Sequence, residues 1–471
     1  GLGDVYKRQA GQNVTVSKTL TLYAVYKKLP YTVTFNNNNG TSTSKIYTSL
    51  TMYASKNQKV TLPDVPKVKG YTNLGWTTEK GETELEYSAG DTVKITKATQ
   101  FYAVRRKSNY YTVSYYLGNG STNAAYQKLT QTVEEGTVVI FAKVPARTGY
   151  VNQGWSSKKN SEKATAKAKC TVNKNITLYA VQKKAVQLTF HRCDGSTWQK
   201  TTLAKGSSYS LPGVRDAEGY TFMGWSTKPM QSVSPQYEAE EKITVNGNVD
   251  LYAVVFNRTT ETDLTEDQLP QVDIYKYKQV IFVGDSRTEF MENVLTGMGE
   301  SATKNVKFVC SAGKGLDWFT TTGWAQLYSI VQHDSNSILS KKTAVIFNFG
   351  VNDLSKSADY AEYYNWIAPQ LKSKGCELYF MSVNPVNRLM LPNAGRADRS
   401  EAAVRSFNQY MKANLSSAYT YIDMYSYLKS TGYSFASDHY GTGTVDDGLH
   451  YTTRTYKRIF AKCMDSLRVP A

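Results

Sequence analysis

The stretch Gln279-Val280-Ile281-Phe282-Val283-Gly284-Asp285-Ser286-Arg287 decides how the second half of this chain is read. Four consecutive apolar residues with high strand propensity break abruptly at Gly-Asp-Ser. A continuous apolar run of this length is the pattern of a strand buried on both faces. The glycine permits a sharp turn, and a serine opening the next helix presents its hydroxyl beside unsatisfied backbone N–H groups. Taken alone the tripeptide reads more readily as a helix cap than as a nucleophile, since Ser is a good cap and Asp a good turn former. From Tyr275 onward the pattern repeats, with candidate strands at Gln279–Val283, Val306–Cys310, Thr343–Phe349, Glu377–Val383 and Tyr419–Ile422. Segments of helical spacing lie between them, among them Tyr360–Lys374 and Arg399–Leu415. Strand and helix in alternation predict a parallel α/β sheet, whose functional residues gather where strands end and helices begin.

Two other strand ends carry complementary chemistry. The third strand runs into Gly350-Val351-Asn352-Asp353, where the Asn352 amide can donate into the same crevice. Near the C-terminus, Asp447-Gly448-Leu449-His450 sets a carboxylate three residues before a histidine. A serine nucleophile needs a base within hydrogen-bond reach, and the base needs a partner that fixes its tautomer. A rival pair, Asp438-His439, is sequential and cannot easily bring its carboxylate behind the neighbouring ring. His333, beside Asp334, reads as a solvated surface histidine. Asp285 reads as a brace for the turn beneath Ser286. Arg287 reads either as a counter-charge for an acidic substrate group or as a surface or turn contact. Trp318 and Trp324 suit stacking on a sugar ring or helix packing alike.

These blocks resemble the SGNH/GDSL hydrolase family across roughly residues 275–468. The first block matches Gly284-Asp285-Ser286, the third Gly350 to Asp353 and the fifth Asp447 to His450. The second block, a single glycine, falls on Gly313 in Ser-Ala-Gly-Lys-Gly, with Gly315 as the alternative. Ser311 there replaces the family's more usual Asn. The resemblance implies an α/β/α three-layer domain with a parallel five-stranded sheet. It makes Ser286 the nucleophile, His450 the general base and Asp447 its orienting partner. It also assigns the oxyanion hole to the N–H groups of Ser286 and Gly313 and the side chain of Asn352, with no cofactor and no metal.

The first half is organised differently. Four segments close alike, LTLYAVYKK, TQFYAVRRK, ITLYAVQKK and VDLYAVVFN, with tyrosines at 23, 102, 179 and 252. The last three are preceded by GYTNLGW, GYVNQGW and GYTFMGW, ending at Trp76, Trp155 and Trp225. Each complete unit opens on an alternating strand, at Tyr31, Tyr111 and Val186. The glycine before each tryptophan suits a bulge or a close backbone approach. The recurrent aromatics read as the core of each unit, with the remaining tyrosines free to furnish a glycan-stacking surface. This pattern resembles the Listeria-Bacteroides repeat, which implies β-grasp-like modules on bacterial surface proteins. The domain reading is a non-native tail at residues 1–10, a truncated repeat at 11–28 and complete repeats at 31–106, 110–184 and 185–256. A linker follows at 257–271 and the hydrolase domain at 272–471. The linker is polar and acidic and reads as a solvated tether ahead of the alternative that it lies against the oppositely charged repeats. His191 and Cys193 in the third repeat lie two apart without further ligands, too few for a metal site.

The formal charge is +17. Residues 271–471 hold 22 Lys and Arg against 18 Asp and Glu, so thirteen of the seventeen excess charges sit in the repeats. That asymmetry points to an anionic surface polymer or glycan as partner. It does not point to nucleic acid, because no recognition motif or zinc-finger spacing accompanies it. Five cysteines without a CxxC pair form no complete disulfide framework. No apolar run reaches the ~18 residues of a membrane span. The opening residues GLGDVYKRQ read as foreign to the protein, and a signal peptide is expected upstream. Together these features predict an extracellular or cell-surface carboxylic ester hydrolase that deacetylates a carbohydrate or cell-wall polymer. The alternative is a surface adhesin or spacer whose hydrolase domain binds glycans without turnover.

Overall fold

The computed structural model describes residues 11–13, 15–24, 30–38, 44–273, 276–333, 342–391, 399–436 and 447–467. The chain divides into two compact units. One comprises Gly1–Ala146 and Asn152–Gln182, the other Arg147–Val151 and Lys183–Ala471. The third repeat therefore belongs to the same unit as the α/β domain.

In the first unit, the first complete repeat is a small β-grasp-like mixed sheet. Tyr31–Asn36 lies parallel to Thr99–Lys107 and antiparallel to Met52–Ala54, while Tyr71–Thr77 pairs antiparallel with Thr99–Lys107. A short helix, Lys45–Thr48, follows the first strand. Trp76 is buried against Phe35, and its indole N–H donates to the Pro63 carbonyl at 2.7 Å. Trp155 makes the equivalent bond to Ala142 at 2.6 Å. A β-bulge falls between Asn73 and Gly75, where the glycine before the tryptophan suggested one. The repeat tryptophans thus build cores, as large rings with one polar handle are suited to do.

In the second unit, the third repeat keeps the same plan. Leu188–His191 pairs parallel with Val249–Tyr252, and Tyr220–Ser226 pairs antiparallel across a bulge at Phe222/Gly224. His191 is bonded to the Asp250 carboxylate at 2.9 Å and stacked on Tyr252.

The α/β domain has five parallel strands: β1 Tyr277–Gly284, β2 Val306–Cys310, β3 Lys342–Asn348, β4 Cys376–Met381 and β5 Tyr419–Ile422. Their order is β2-β1-β3-β4-β5. The main helices are α1 Ser286–Thr296, α2 Trp324–His333, α3 Ser357–Ser373, α4 Glu401–Asn414, α5 Met424–Thr431 and α6 Thr453–Ser466. Alternate strand residues face opposite sides. Ile281, Val345, Phe347 and Phe380 pack with Tyr364, Leu371 and Phe407 of α3 and α4. Val280, Phe282, Ile346 and Met381 pack with Met291, Leu428 and Phe460 of α1, α5 and α6. Both faces are covered, which is why β1 reads as an unbroken apolar run.

The acidic segment before β1 is not a solvated tether. Glu261 is buried and accepts bonds from Arg458 at 2.9 Å and from the hydroxyls of Ser434 and Thr455 at 2.5 Å. Leu269 and Val272 join the core beneath α6. Its charge is matched by residues of the α/β domain that lie far away in sequence.

Candidate active site

The chain order of the sheet reverses at β1 and β3, and the crevice beyond their C-terminal ends is where such sheets bind ligands. The turn after β1 and the turn after β3 meet there. Asp285 caps α1, its carboxylate accepting from the Arg287 N–H at 3.0 Å, so Ser286 is fixed as the first residue of the helix. Asp285 is fully buried; that burial pushes its carboxyl up to about 6, against the pull of Arg287 and of its hydrogen bond.

Ser286, His450 and Asp447 form one hydrogen-bonded line. The Ser286 Oγ lies 2.9 Å from His450 Nε2, and His450 Nδ1 lies 2.8 Å from Asp447 Oδ2. All three side chains are buried. The second carboxylate oxygen of Asp447 accepts from the N–H groups of Leu449 and His450 at 2.8 and 2.7 Å. The carboxylate therefore organises the turn that carries the histidine as well as meeting its ring. Phe290, one helical turn beyond Ser286, packs edge-on against the imidazole with ring centroids 4.5 Å apart.

The other two blocks are joined through Asp353. Its carboxylate accepts from the Leu316 N–H at 2.9 Å and from the Tyr360 hydroxyl at 2.7 Å. Burial raises its pKa over the lowering effect of these donors. Gly315 lies against it so closely that a Cβ would sit 2.3 Å from the carboxylate oxygen, whereas Gly313 has open space at that position. A side chain is thus excluded at Gly315 by the Asp353 carboxylate, while Gly313 takes a positive φ of +70°. Asn352 donates one Nδ2 hydrogen to the Lys314 carbonyl at 2.7 Å, and its oxygen accepts from Arg399 at 2.5 Å. The amide is held at both ends, and its second hydrogen is left for another acceptor.

Arg287 makes a turn contact, one of the readings made from sequence, and is neither an exposed surface group nor a counter-charge. It is buried and donates to three carbonyls: Leu449 at 3.0 Å, Asn384 at 2.9 Å and Pro385 at 2.8 Å. It ties the helix of Ser286 to the turn of His450. Arg399, which orients Asn352, was not singled out from sequence; no spacing rule links it to Asn352, 47 positions away. Trp318 and Trp324 are partly buried in the core beside α2 and α3, so both serve packing. Asp438, His439, Asp334 and the His333 side chain lie outside the described residues.

The model of the Listeria-Bacteroides repeat domain matches residues 31–104, 111–181 and 187–254, and that of the GDSL-like lipase/acylhydrolases matches 280–463. The chain carries a GDSL-type hydrolase domain behind three Listeria-Bacteroides repeats. A protein of Evansella cellulosilytica described as a Gly-rich membrane protein is 28% identical over 237 residues, 50% of this chain and 26% of that one. A second, described as a membrane protein of the same organism, is 27% identical over 222 residues, 45% of this chain and 31% of that one. The chain thus spans less than a third of the length of these curated relatives. Among solved structures, an acetyl xylan esterase is 11% identical, covering 40% of this chain and 100% of its own, with a TM-score of 0.28. A Bacteroides fragilis acylhydrolase is 16% identical, covering 43% and 92%, with a TM-score of 0.28. The C-terminal catalytic domain of peptidoglycan O-acetyltransferase A from Streptococcus pneumoniae is 16% identical, covering 41% and 92%, with a TM-score of 0.25. Among the described residues no helix is long and apolar enough to cross a membrane.

Proposed function

We propose that this chain is a serine esterase that works through an acyl-enzyme on Ser286, with acetyl groups on a carbohydrate or cell-wall polymer as substrate. The observation that carries the reading is the line from Ser286 Oγ through His450 to Asp447, with both bonds under 3 Å. In this mechanism His450 Nε2 takes the serine proton as Oγ attacks the ester carbonyl. The Asp447 carboxylate holds the proton of Nδ1, keeps Nε2 basic and stabilises the imidazolium that forms. The oxyanion is received by the N–H groups of Ser286 and Gly313 and by the second Nδ2 hydrogen of Asn352. Such donors act strongly because they are fixed before charge develops, and the Lys314 and Arg399 bonds supply that fixation for Asn352. Collapse of the intermediate returns the proton from His450 to the departing alcohol. Water then repeats the sequence on the acyl-enzyme and releases the acid.

The polymer half of the proposal is supported by the joining of the hydrolase domain to repeats that resemble surface modules and by the excess positive charge of residues 1–270. An extracellular or cell-surface location follows on the same grounds. The test is acetate release from acetylated xylan, mucin and peptidoglycan by the wild-type chain and Ser286→Ala. The proposal expects release from at least one polymer by the wild type and none by the variant. Turnover of p-nitrophenyl acetate without release from any polymer would remove the polymer assignment. Polymer binding with no hydrolysis of either kind would favour an inert adhesive role.

A further inference from the structure

The third repeat departs from its siblings on two paired strands. Phe222, Met223, Val255 and Phe256 stand where the first repeat has Asn73, Leu74, Arg105 and Arg106, and the second has Asn152, Gln153, Gln182 and Lys183. The pairing is the same, Asn73 opposite Arg105 and Phe222 opposite Val255. Arg105 spends its guanidinium inside its own repeat, on Asn73, Asn37, Tyr47 and the Pro66 carbonyl. In the third repeat Met223, Val254 and Phe256 are buried in one core with Leu428, Tyr433, Phe435, Tyr451 and Tyr456 of the hydrolase domain. Lys429 of α5 is buried at the same place, bonded to the Met223 carbonyl at 2.7 Å, Glu238 at 2.8 Å and Glu401 at 3.0 Å. Apolar replacement at this face is what docking on a hydrophobic core demands.

A polar path leads from this interface to the triad. The Asn387 side chain donates to the Val214 carbonyl at 3.0 Å and to Asp216 at 2.9 Å, both in the third repeat. The Asn387 backbone N–H donates to the Gly448 carbonyl at 2.8 Å. Gly448 stands inside the Asp447–His450 turn, at φ +64°, and a Cβ on it would lie 2.3 Å from the Asn387 carbonyl oxygen. The preceding Val386 N–H is held by Glu401, and the carbonyls of Asn384 and Pro385 by Arg287. The strip 384–387 thus lies between the third repeat and the turn bearing His450.

We infer that the third repeat is a positioning element of the active site: Val214 and Asp216 fix Asn387, and Asn387 fixes the turn that aims His450 at Ser286. This rests on the reading of Ser286, His450 and Asp447 as the working triad. Asn387 is a positioning residue, and small misplacement of a base is costly because proton transfer needs hydrogen-bond distance.

The experiment uses the full chain with p-nitrophenyl acetate, and kcat is normalised to sites titrated by a fluorophosphonate, so that misfolded molecules do not count. Asn387→Ala is expected to lower kcat per titrated site by roughly tenfold or more with KM within about twofold. Asp216→Leu should do the same. Asp216→Asn, whose amide oxygen still accepts from Asn387, should restore kcat to within about twofold of wild type. Arg388→Ala, which breaks only the half-exposed ion pair with Glu240 at the same interface, should leave kcat unchanged. Wild-type kcat per titrated site in both Asn387→Ala and Asp216→Leu would overturn the inference, even if both variants melt earlier. Ser286→Ala separates the two levels: turnover in that variant would refute the triad reading itself, whereas an inactive Ser286→Ala beside a fully active Asn387→Ala refutes only the role of the repeat.

Discussion

Replacing Asp447 by Asn changes one oxygen of a fully buried carboxylate to an NH2 group, and its effect can be worked from the hydrogen bonds. One carboxylate oxygen receives two backbone N–H donors, from Leu449 and His450, at 2.8 and 2.7 Å. Only an oxygen can satisfy them, so the Asn side chain must orient its carbonyl there and its NH2 group toward His450 Nδ1. Nδ1 must then be an unprotonated acceptor, which puts the imidazole proton on Nε2. That proton points at Ser286 Oγ, 2.9 Å away, and the ring can no longer act as base. A triad with the wrong tautomer loses about 10⁴ in kcat, equivalent to about 5.5 kcal/mol in the barrier. The fold should survive, because shape and both backbone bonds are kept. The assay is steady-state kcat on p-nitrophenyl acetate, with near-ultraviolet circular dichroism to confirm native packing. A natively folded Asp447→Asn with kcat within tenfold of wild type would refute the assignment of Asp447.

Three further outcomes are expected. Asn352→Ala should lower kcat by about 10²–10³ with little change in KM, as expected for one oxyanion donor; an unchanged kcat would remove Asn352 from that role. Lys429→Met leaves Glu238 and Glu401 buried without their shared cation, a loss of about 3–5 kcal/mol measurable as a lower urea midpoint; adding Glu238→Gln and Glu401→Gln should recover much of it. Asp285 is the case where pH matters to stability. Its folded pKa, about 6, lies above the unfolded value, so its contribution is present in acid and is lost as pH rises through about 6. Asp285→Asn keeps the cap acceptor for the Arg287 N–H and should therefore gain Tm relative to wild type at pH 8 but not at pH 4; an equal difference at both pH values would contradict the assigned cause.

Much of the catalytic domain was legible because its signals are local. A strand buried on both faces declares itself by composition, and the five expected strands match those observed to within one or two residues. Ser286, Asp447 and His450 could be singled out because each sits in a short block, Ser286 just after β1 and the other two in the turn before α6. Asp447 and His450 could be paired from spacing alone, since three residues suffice to bring the carboxylate under the ring. What could not be read depends on groups far apart in sequence. For Arg287 the choice between a counter-charge and a surface or turn contact stays open in the sequence because nothing around it names its acceptors, the carbonyls of residues 384, 385 and 449. Glu261 looked like part of a solvated tether for the same reason, as its partners are Ser434, Thr455 and Arg458. The packing of Gly315 could not be read either, since the Asp353 carboxylate that fills the space beside it comes from a loop 38 positions on. The role of Met223 and Phe256 in the third repeat was not read from the sequence, because it depends on the hydrolase core against which they pack.

The most direct test of the central claim is covalent labelling of the full chain with a fluorophosphonate, followed by peptide mass mapping. A working Ser286-His450-Asp447 triad predicts one modified serine, Ser286, with labelling abolished in Ser286→Ala and strongly slowed in His450→Ala. No modification of Ser286 in the natively folded chain, or label on a different serine, would contradict it.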